Sequence, residues 1–212
     1  MDKLIVFDLD GTLIDSIGGI ANSVNRTREK FGAAPLDKTV IQSYVGNGIK
    51  KLMERASTDF QTAIPMDEIV ATATGFYADA PLVDTHLYPG VLETMQKLRT
   101  NGFRLCVVSN KPQLISDKII AGLGIADLLD FNIGGGAGFP LKPAPDAIEF
   151  LLKKFDIRPA DAFVVGDNYT DLAAAENAGV RSIFCRFGFG EKQDFSADME
   201  IDTFAELINC LR

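Results

Sequence analysis

Leu4-Ile5-Val6-Phe7-Asp8-Leu9-Asp10-Gly11-Thr12 is the stretch that decides how this chain folds. Its first four residues are apolar, branched or aromatic, and Gly11-Thr12 stops the run, which predicts an interior strand ending in a turn. Alternation along an extended chain sets Asp8 and Asp10 on the same side. Two carboxylates there repel each other unless something cationic joins them. Folding has no need of that pair. Metal-assisted chemistry does.

Working outward, four further apolar runs resemble the first: Phe103 to Val108, Phe131 to Ile133, Ala162 to Val165 and Arg181 to Cys185. Helical patterns separate them, at Val91 to Thr100, Leu114 to Leu123, Asp146 to Phe155 and Leu172 to Ala178. Strands alternating with helices of this length predict an α/β fold, a Rossmann-like and mostly parallel sheet covered on both faces. Between the first strand and its crossover the rhythm breaks. Ile17, Ile20, Ala21, Val24 and Phe31 recur at helical spacing. Val40, Ile41, Ile49, Leu52 and Met53 suggest a helix pair around Gly46-Asn47-Gly48, and Met66 to Ala78 a further helix. No strand run appears among them. The expected organisation is therefore a core made of residues 1–15 and 85–212, with a small all-α cap, residues 16–84, inserted after the first strand. A unit of about 70 residues is marginal alone and is expected to dock over the sheet.

Bulk composition narrows the functions. Of 212 residues, 47% are hydrophobic and 24% charged, ordinary for a globular chain. A formal charge of -8 argues against nucleic-acid binding, which asks for a basic face. Cys106, Cys185 and Cys210 are widely spaced, with no CxxC, and read as reduced thiols. No leader is visible before the first strand and no apolar stretch nears about 18 residues, so no membrane partner and a cytoplasmic location are expected.

In an open parallel sheet, ligands bind beyond the carboxyl ends of the strands. Here those ends carry Asp8-Leu9-Asp10, Ser109-Asn110-Lys111, and Gly166-Asp167-Asn168 with Asp171 close behind. Lys142-Pro143-Ala144-Pro145, just before a helix, is a fourth contributor. Chain order thus brings Asp8, Asp10, Ser109, Lys142, Asp167 and Asp171 towards one crevice. With a phosphate monoester bound, Lys142 alone could not offset so many carboxylates, so a divalent cation is expected. Mg²⁺ suits hard oxygen ligands. Zinc does not fit a chain whose single histidine is His86 and whose cysteines are unpaired.

The series Asp-x-Asp-Gly-Thr, Ser-Asn, Lys, Gly-Asp-x-x-x-Asp, spread from residue 8 to 171, resembles the haloacid dehalogenase superfamily of phosphatases. The helical insert resembles the C1-type cap of its phosphoglycolate phosphatase-like branch, as do Val45-Gly46-Asn47-Gly48 and Phe187-Gly188-Phe189-Gly190-Glu191. The resemblance implies a Mg²⁺-dependent phosphatase acting on a small phosphorylated metabolite, with 2-phosphoglycolate the first candidate, as a monomer or homodimer. It implies Asp8 as the nucleophile and Asp10 as the general acid and base. Asp8, the backbone carbonyl of Asp10, and Asp167 would hold the metal, and Asp171 would support that set by hydrogen bonds or through water. Ser109, Asn110 and Lys142 would bind the phosphoryl group, and Gly46 and Asn47 would contribute to substrate choice.

Each motif also has an ordinary reading. Asp-Gly often starts a turn, Ser109-Asn110 could cap the helix after Pro112, and Lys142 could be solvated. The Gly-Asp-x-x-x-Asp stretch from Gly166 to Asp171 fits an N-cap with a first-turn acid. Gly134 to Gly138 lacks phosphate-loop spacing and reads as a flexible connection. Lys50 and Lys51 read as solvated, His86 as structural and Cys106 as inert core. Rival functions are a phosphomutase of the same superfamily, a phosphatase for another small substrate (a sugar phosphate, a nucleotide or pyrophosphate), a 2-haloacid dehalogenase, which the presence of Asp10 disfavours, and a catalytically idle binding module.

Overall fold

The computed structural model describes residues 3–61 and 63–211. The outer ends of the segments 1–15 and 85–212 lie outside the described residues.

Strand β1 (Lys3–Phe7) is the hub of the sheet. The chain then forms β2 (Ile14–Asp15), a helical insert, β3 (His86–Leu87), and β4 (Phe103–Pro112) to β8 in sequence. β1 pairs in parallel with β4 on one side and with β6 (Ala162–Gly166) on the other. β5 (Phe131–Gly135) extends the sheet beyond β4, while β7 (Arg181–Cys185) and β8 (Met199–Ile201) extend it beyond β6. The order is β5-β4-β1-β6-β7-β8, parallel throughout.

Residue alternation divides the core in two. Ile5, Phe7, Leu105, Val107, Phe163 and Val165 face one cluster, and Leu4, Val6, Cys106, Val108, Ala162 and Val164 face the other. Helices α5 (Val91–Thr100) and α6 (Gln113–Gly122) cover the first face. Helices α7 (Asp146–Phe155) and α8 (Tyr169–Ala178) cover the second. A short α9 (Leu207–Cys210) closes the chain beside α5.

The insert holds α1 (Ile17–Lys30), α2 (Lys38–Gln42), α3 (Gly48–Ala56) and α4 (Met66–Asp79). β2 and β3 form a two-stranded antiparallel ribbon at its entrance and exit, pairing Asp15 with His86. Ile20, Val24, Met53, Ile69 and Ala73 are buried, so the insert and the sheet share one continuous apolar cluster. Arg28 is 1% exposed and staples the insert. Its guanidinium donates to Ala34 O and Ala56 O and forms a two-point pair with Asp59 at 2.8 and 2.7 Å.

Several elements depart from the sequence expectation. β4 runs on through Ser109-Asn110-Lys111 to Pro112, with a register shift against β5 after Val108. Gly134 and Gly135, expected in a connection, belong to β5. A side chain at Gly134 would lie 2.7 Å from Gln113 Cα and 2.9 Å from Lys111 O, so the glycine lets β5 pass against the shifted end of β4. Helix α8 starts at Tyr169, one turn before the expected Leu172. The short strands β2, β3 and β8 were not anticipated.

Candidate active site

The carboxyl ends of three neighbouring strands build the site. β1 stops at Phe7, but Asp8 N–H still donates to Val165 O (2.9 Å), which fixes Asp8 against β6. Gly11 follows at φ +84°, and a Cβ there would collide with the Asp167 carboxylate. Only glycine lets the turn approach so closely. Carboxylate oxygens of Asp8, Asp167 and Asp171 lie within 4.8 Å of one another. Asp167 Oδ2 accepts from Phe189 N (3.0 Å) and Gly190 N (2.7 Å), and Oδ1 from Thr12 Oγ1 at 3.5 Å.

Lys142 enters from the segment between β5 and α7. It is 5% exposed, far from the solvated lysine of the ordinary reading. Its Nζ donates to Asp171 Oδ1 (2.5 Å) and lies 2.9 Å from Asp8 Oδ1 as an ion pair. Among the described residues that buried oxygen of Asp8 has no partner besides Lys142. Asp171 Oδ2 accepts from Asn168 N (3.0 Å), completing a capping box in which Asn168 caps α8. The N-cap reading of this motif is therefore correct as far as it goes, and the same carboxylate also meets Lys142.

Burial and mutual repulsion dominate the electrostatics. Burial, then the Asp8 and Asp171 charges, holds the Asp167 carboxyl well above the usual range. Burial raises Asp171 to about 6 against the pull of Lys142. Burial alone would lower the Lys142 pKa, but Asp171 and Asp8 outweigh it and shift it up. Three carboxylates with hard oxygen donors this close together, served by a single lysine, fit a small divalent cation.

Asp10 stands apart from that cluster. Its carboxylate accepts from Ser16 Oγ (2.5 Å) and from Lys111 Nζ at 2.7 and 3.0 Å. Lys111 also donates to Tyr77 OH on α4 (2.7 Å). Sequence reasoning assigned no role to Lys111, Tyr77 or Ser16. Lys111 stood in view in the polar end of β4, but its partner comes from the insert, where nothing in the sequence marks Tyr77.

Ser109 is buried beside Lys111, whose N–H donates to Ser109 Oγ (3.3 Å). Asn110, expected to touch phosphate, has both amide hydrogens engaged elsewhere. They go to Lys142 O (3.0 Å) and Gly46 O (2.9 Å), while Oδ1 accepts from Lys142 N (2.8 Å). Asn110 thus clamps the Lys142 backbone and touches the insert.

Gly46 and Asn47 separate. Gly46 lines an inner cavity of about 70 Å³ between insert and sheet, together with Asp8, Asp10, Ser109 and Asp167. Asn47 lines an outer cleft of about 390 Å³, where it donates to Tyr169 OH (2.6 Å) and accepts from Arg55 (3.2 Å). Lys50 and Lys51 are exposed, as expected.

A family model described as haloacid dehalogenase-like hydrolase matches residues 5–185, a span that carries every one of these core residues. The chain belongs to that family. Among its relatives, a phosphoglycolate phosphatase of Vibrio vulnificus strain YJ016 is 36% identical over 98% of this chain and 95% of its own. A phosphoglycolate phosphatase of Colwellia psychrerythraea is 33% identical over 99% and 97%. A crystal structure described as a predicted phosphoglycolate phosphatase from Haemophilus somnus superposes with a TM-score of 0.92 at 27% identity, covering 100% of this chain and 98% of the other. This haloacid dehalogenase-like hydrolase is an α/β enzyme with a helical insert after its first strand. Among the described residues no helix is long and apolar enough to cross a membrane.

Proposed function

We propose that the chain is a Mg²⁺-dependent phosphatase that hydrolyses a small phosphate monoester, 2-phosphoglycolate being the first candidate. The observation that carries this reading is the division of carboxylates by environment. Asp8 sits with Asp167, Asp171 and Lys142, whereas Asp10 is held outside that group by Ser16 and Lys111. One carboxylate thus sits among two further acids and a lysine, and the other is held apart by a hydroxyl and a second lysine, which suits a nucleophile and a proton-transfer group.

Asp8 Oδ attacks phosphorus, the bond to the alkoxide breaks, and Asp10 supplies the proton that the alkoxide takes. Asp10 then accepts a proton from the water that cleaves the aspartyl-phosphate, which restores Asp8 and releases inorganic phosphate. Ser109 and Lys142 hold the phosphoryl oxygens, and Asn110 fixes Lys142 from behind. Asp8, the Asp10 carbonyl and Asp167 would hold Mg²⁺, which supplies charge neutralisation for the transferring phosphoryl group. Asp171 orients Lys142 and the Asn168 turn. Residues 16–84 act as a cap that closes over the site and shuts out bulk water, with Gly46 shaping the inner cavity. Three unpaired cysteines suit a cytoplasmic setting.

The decisive experiment measures phosphate release over a panel of several dozen phosphorylated metabolites with and without Mg²⁺. Steady, Mg²⁺-dependent release from a small monoester is expected. Absence of release from every member, or full turnover in EDTA, would overturn the reading.

A further inference from the structure

The inner cavity is apolar on its insert side. Ile20, Val24, Val45, Ile49, Leu52 and Met53 line it there. Among the described lining residues Lys111 is the one cationic side chain, Lys142 being paired with Asp8 and Asp171. A charged group on the organic half of a substrate could not be left unpaired against such a wall. On the insert wall the hydroxyls are those of Ser23 and Tyr77, and Ser23 Oγ is committed to Ala73 O (2.8 Å). Tyr77 OH and Lys111 Nζ already form a pair, with the ammonium 4.3 Å from the Tyr77 ring centre.

We propose that Lys111, aided by Tyr77, recognises a carboxylate on the carbon next to the phosphoester, and so selects small phosphorylated carboxylates over neutral monoesters. The ammonium can exchange one of its two Asp10 contacts for the substrate carboxylate, because Ser16 remains bonded to Asp10. Lys111 is thereby a specificity residue joining sheet, insert and substrate. This rests on the phosphatase reading above and adds the residues that read the carboxylate of the substrate.

The test compares 2-phosphoglycolate with 2-hydroxyethyl phosphate, which differ by a carboxylate against a neutral hydroxymethyl group. In the wild type, kcat/KM for the carboxylate is expected to exceed that for the neutral ester by about 10- to 100-fold, the usual range for a charge-assisted hydrogen bond. Lys111→Met should bring the ratio to within about 3-fold of unity, mainly by raising KM for 2-phosphoglycolate. Tyr77→Phe, which preserves the ring packing, should lower the ratio several-fold, and it decides the matter if Lys111→Met fails to fold or is inert. A wild type that turns over both esters equally, or variants that slow both esters alike and leave the ratio intact, would overturn this proposal alone. A wild type that hydrolyses neither overturns the phosphatase reading and this one with it.

Discussion

Asp8 and Asp10 are two residues apart, yet each is paired with a different lysine, and the consequences of replacing them differ accordingly. Asp8→Asn keeps the shape but removes the nucleophile, so phosphate release should fall by at least about 10⁴-fold. Asp10→Asn removes proton transfer and should cost about 10²–10⁴-fold. Rapid-quench measurement with a substrate that has a good leaving group checks the distinction, since Asp10→Asn should still phosphorylate Asp8 from such a substrate. Equal loss at both positions, with no phosphorylated Asp8 in the Asp10→Asn variant, would remove Asp10 from proton transfer. At this scale the sequence was readable wherever a polar residue ends a buried strand, because a carboxylate or lysine there has few structural reasons to exist. It was unreadable for Lys111, whose burial is created by Tyr77, 34 positions away. It gave no sign that the Asn110 amide bonds to Lys142 and Gly46, since both partners come from distant segments.

Among elements, α5 and α7 have the bounds that periodicity predicts, since each is a full amphipathic helix against one core cluster. The strands of two or three residues carry no period to detect, and α8 hides its first turn because a capping box is polar. The turn between α2 and α3 has the most specific structural demand. Gly46 has φ +118°, and a Cβ there would lie 2.7 Å from Asn168 Nδ2, at the point where insert meets sheet. Gly46→Ala should therefore hold the insert away from the sheet, raising KM by about 10-fold or more while the fold persists. Tyr169→Phe removes one hydrogen bond to Asn47, worth about 1 kcal/mol, and should raise KM roughly 5-fold without lowering kcat. Steady-state kinetics on the two variants, with melting curves as a control on folding, tests both. If Gly46→Ala left KM unchanged, the turn would not govern closure.

The whole molecule brings three buried acids together in a chain already carrying a formal charge of -8. That arrangement stores repulsion that a cation relieves, and the relief has a defined pH sign. The Asp171 carboxyl is raised from 3.8 to about 6, with burial the largest cause, and Asp167 is raised well above 3.8. In the metal-free protein the folded state therefore keeps protons that the unfolded chain has released; the Asp171 contribution is lost as pH rises from about 4 through about 6, and Asp167 acts in the same direction. Mg²⁺ binds the deprotonated acids and must displace protons below that window. Its stabilisation of the folded chain should accordingly be larger near about pH 7 than near about pH 5, and a Tm increase of several degrees at saturating Mg²⁺ is expected at the higher value. Asp167→Asn should erase most of that increment while leaving the metal-free melting temperature equal to or above that of the wild type, because one buried charge has been removed. Calorimetry at the two pH values, with and without Mg²⁺, reads this directly and requires no substrate. A Mg²⁺ increment that is the same at both pH values, or that survives Asp167→Asn, would place the cation somewhere other than among these three aspartates.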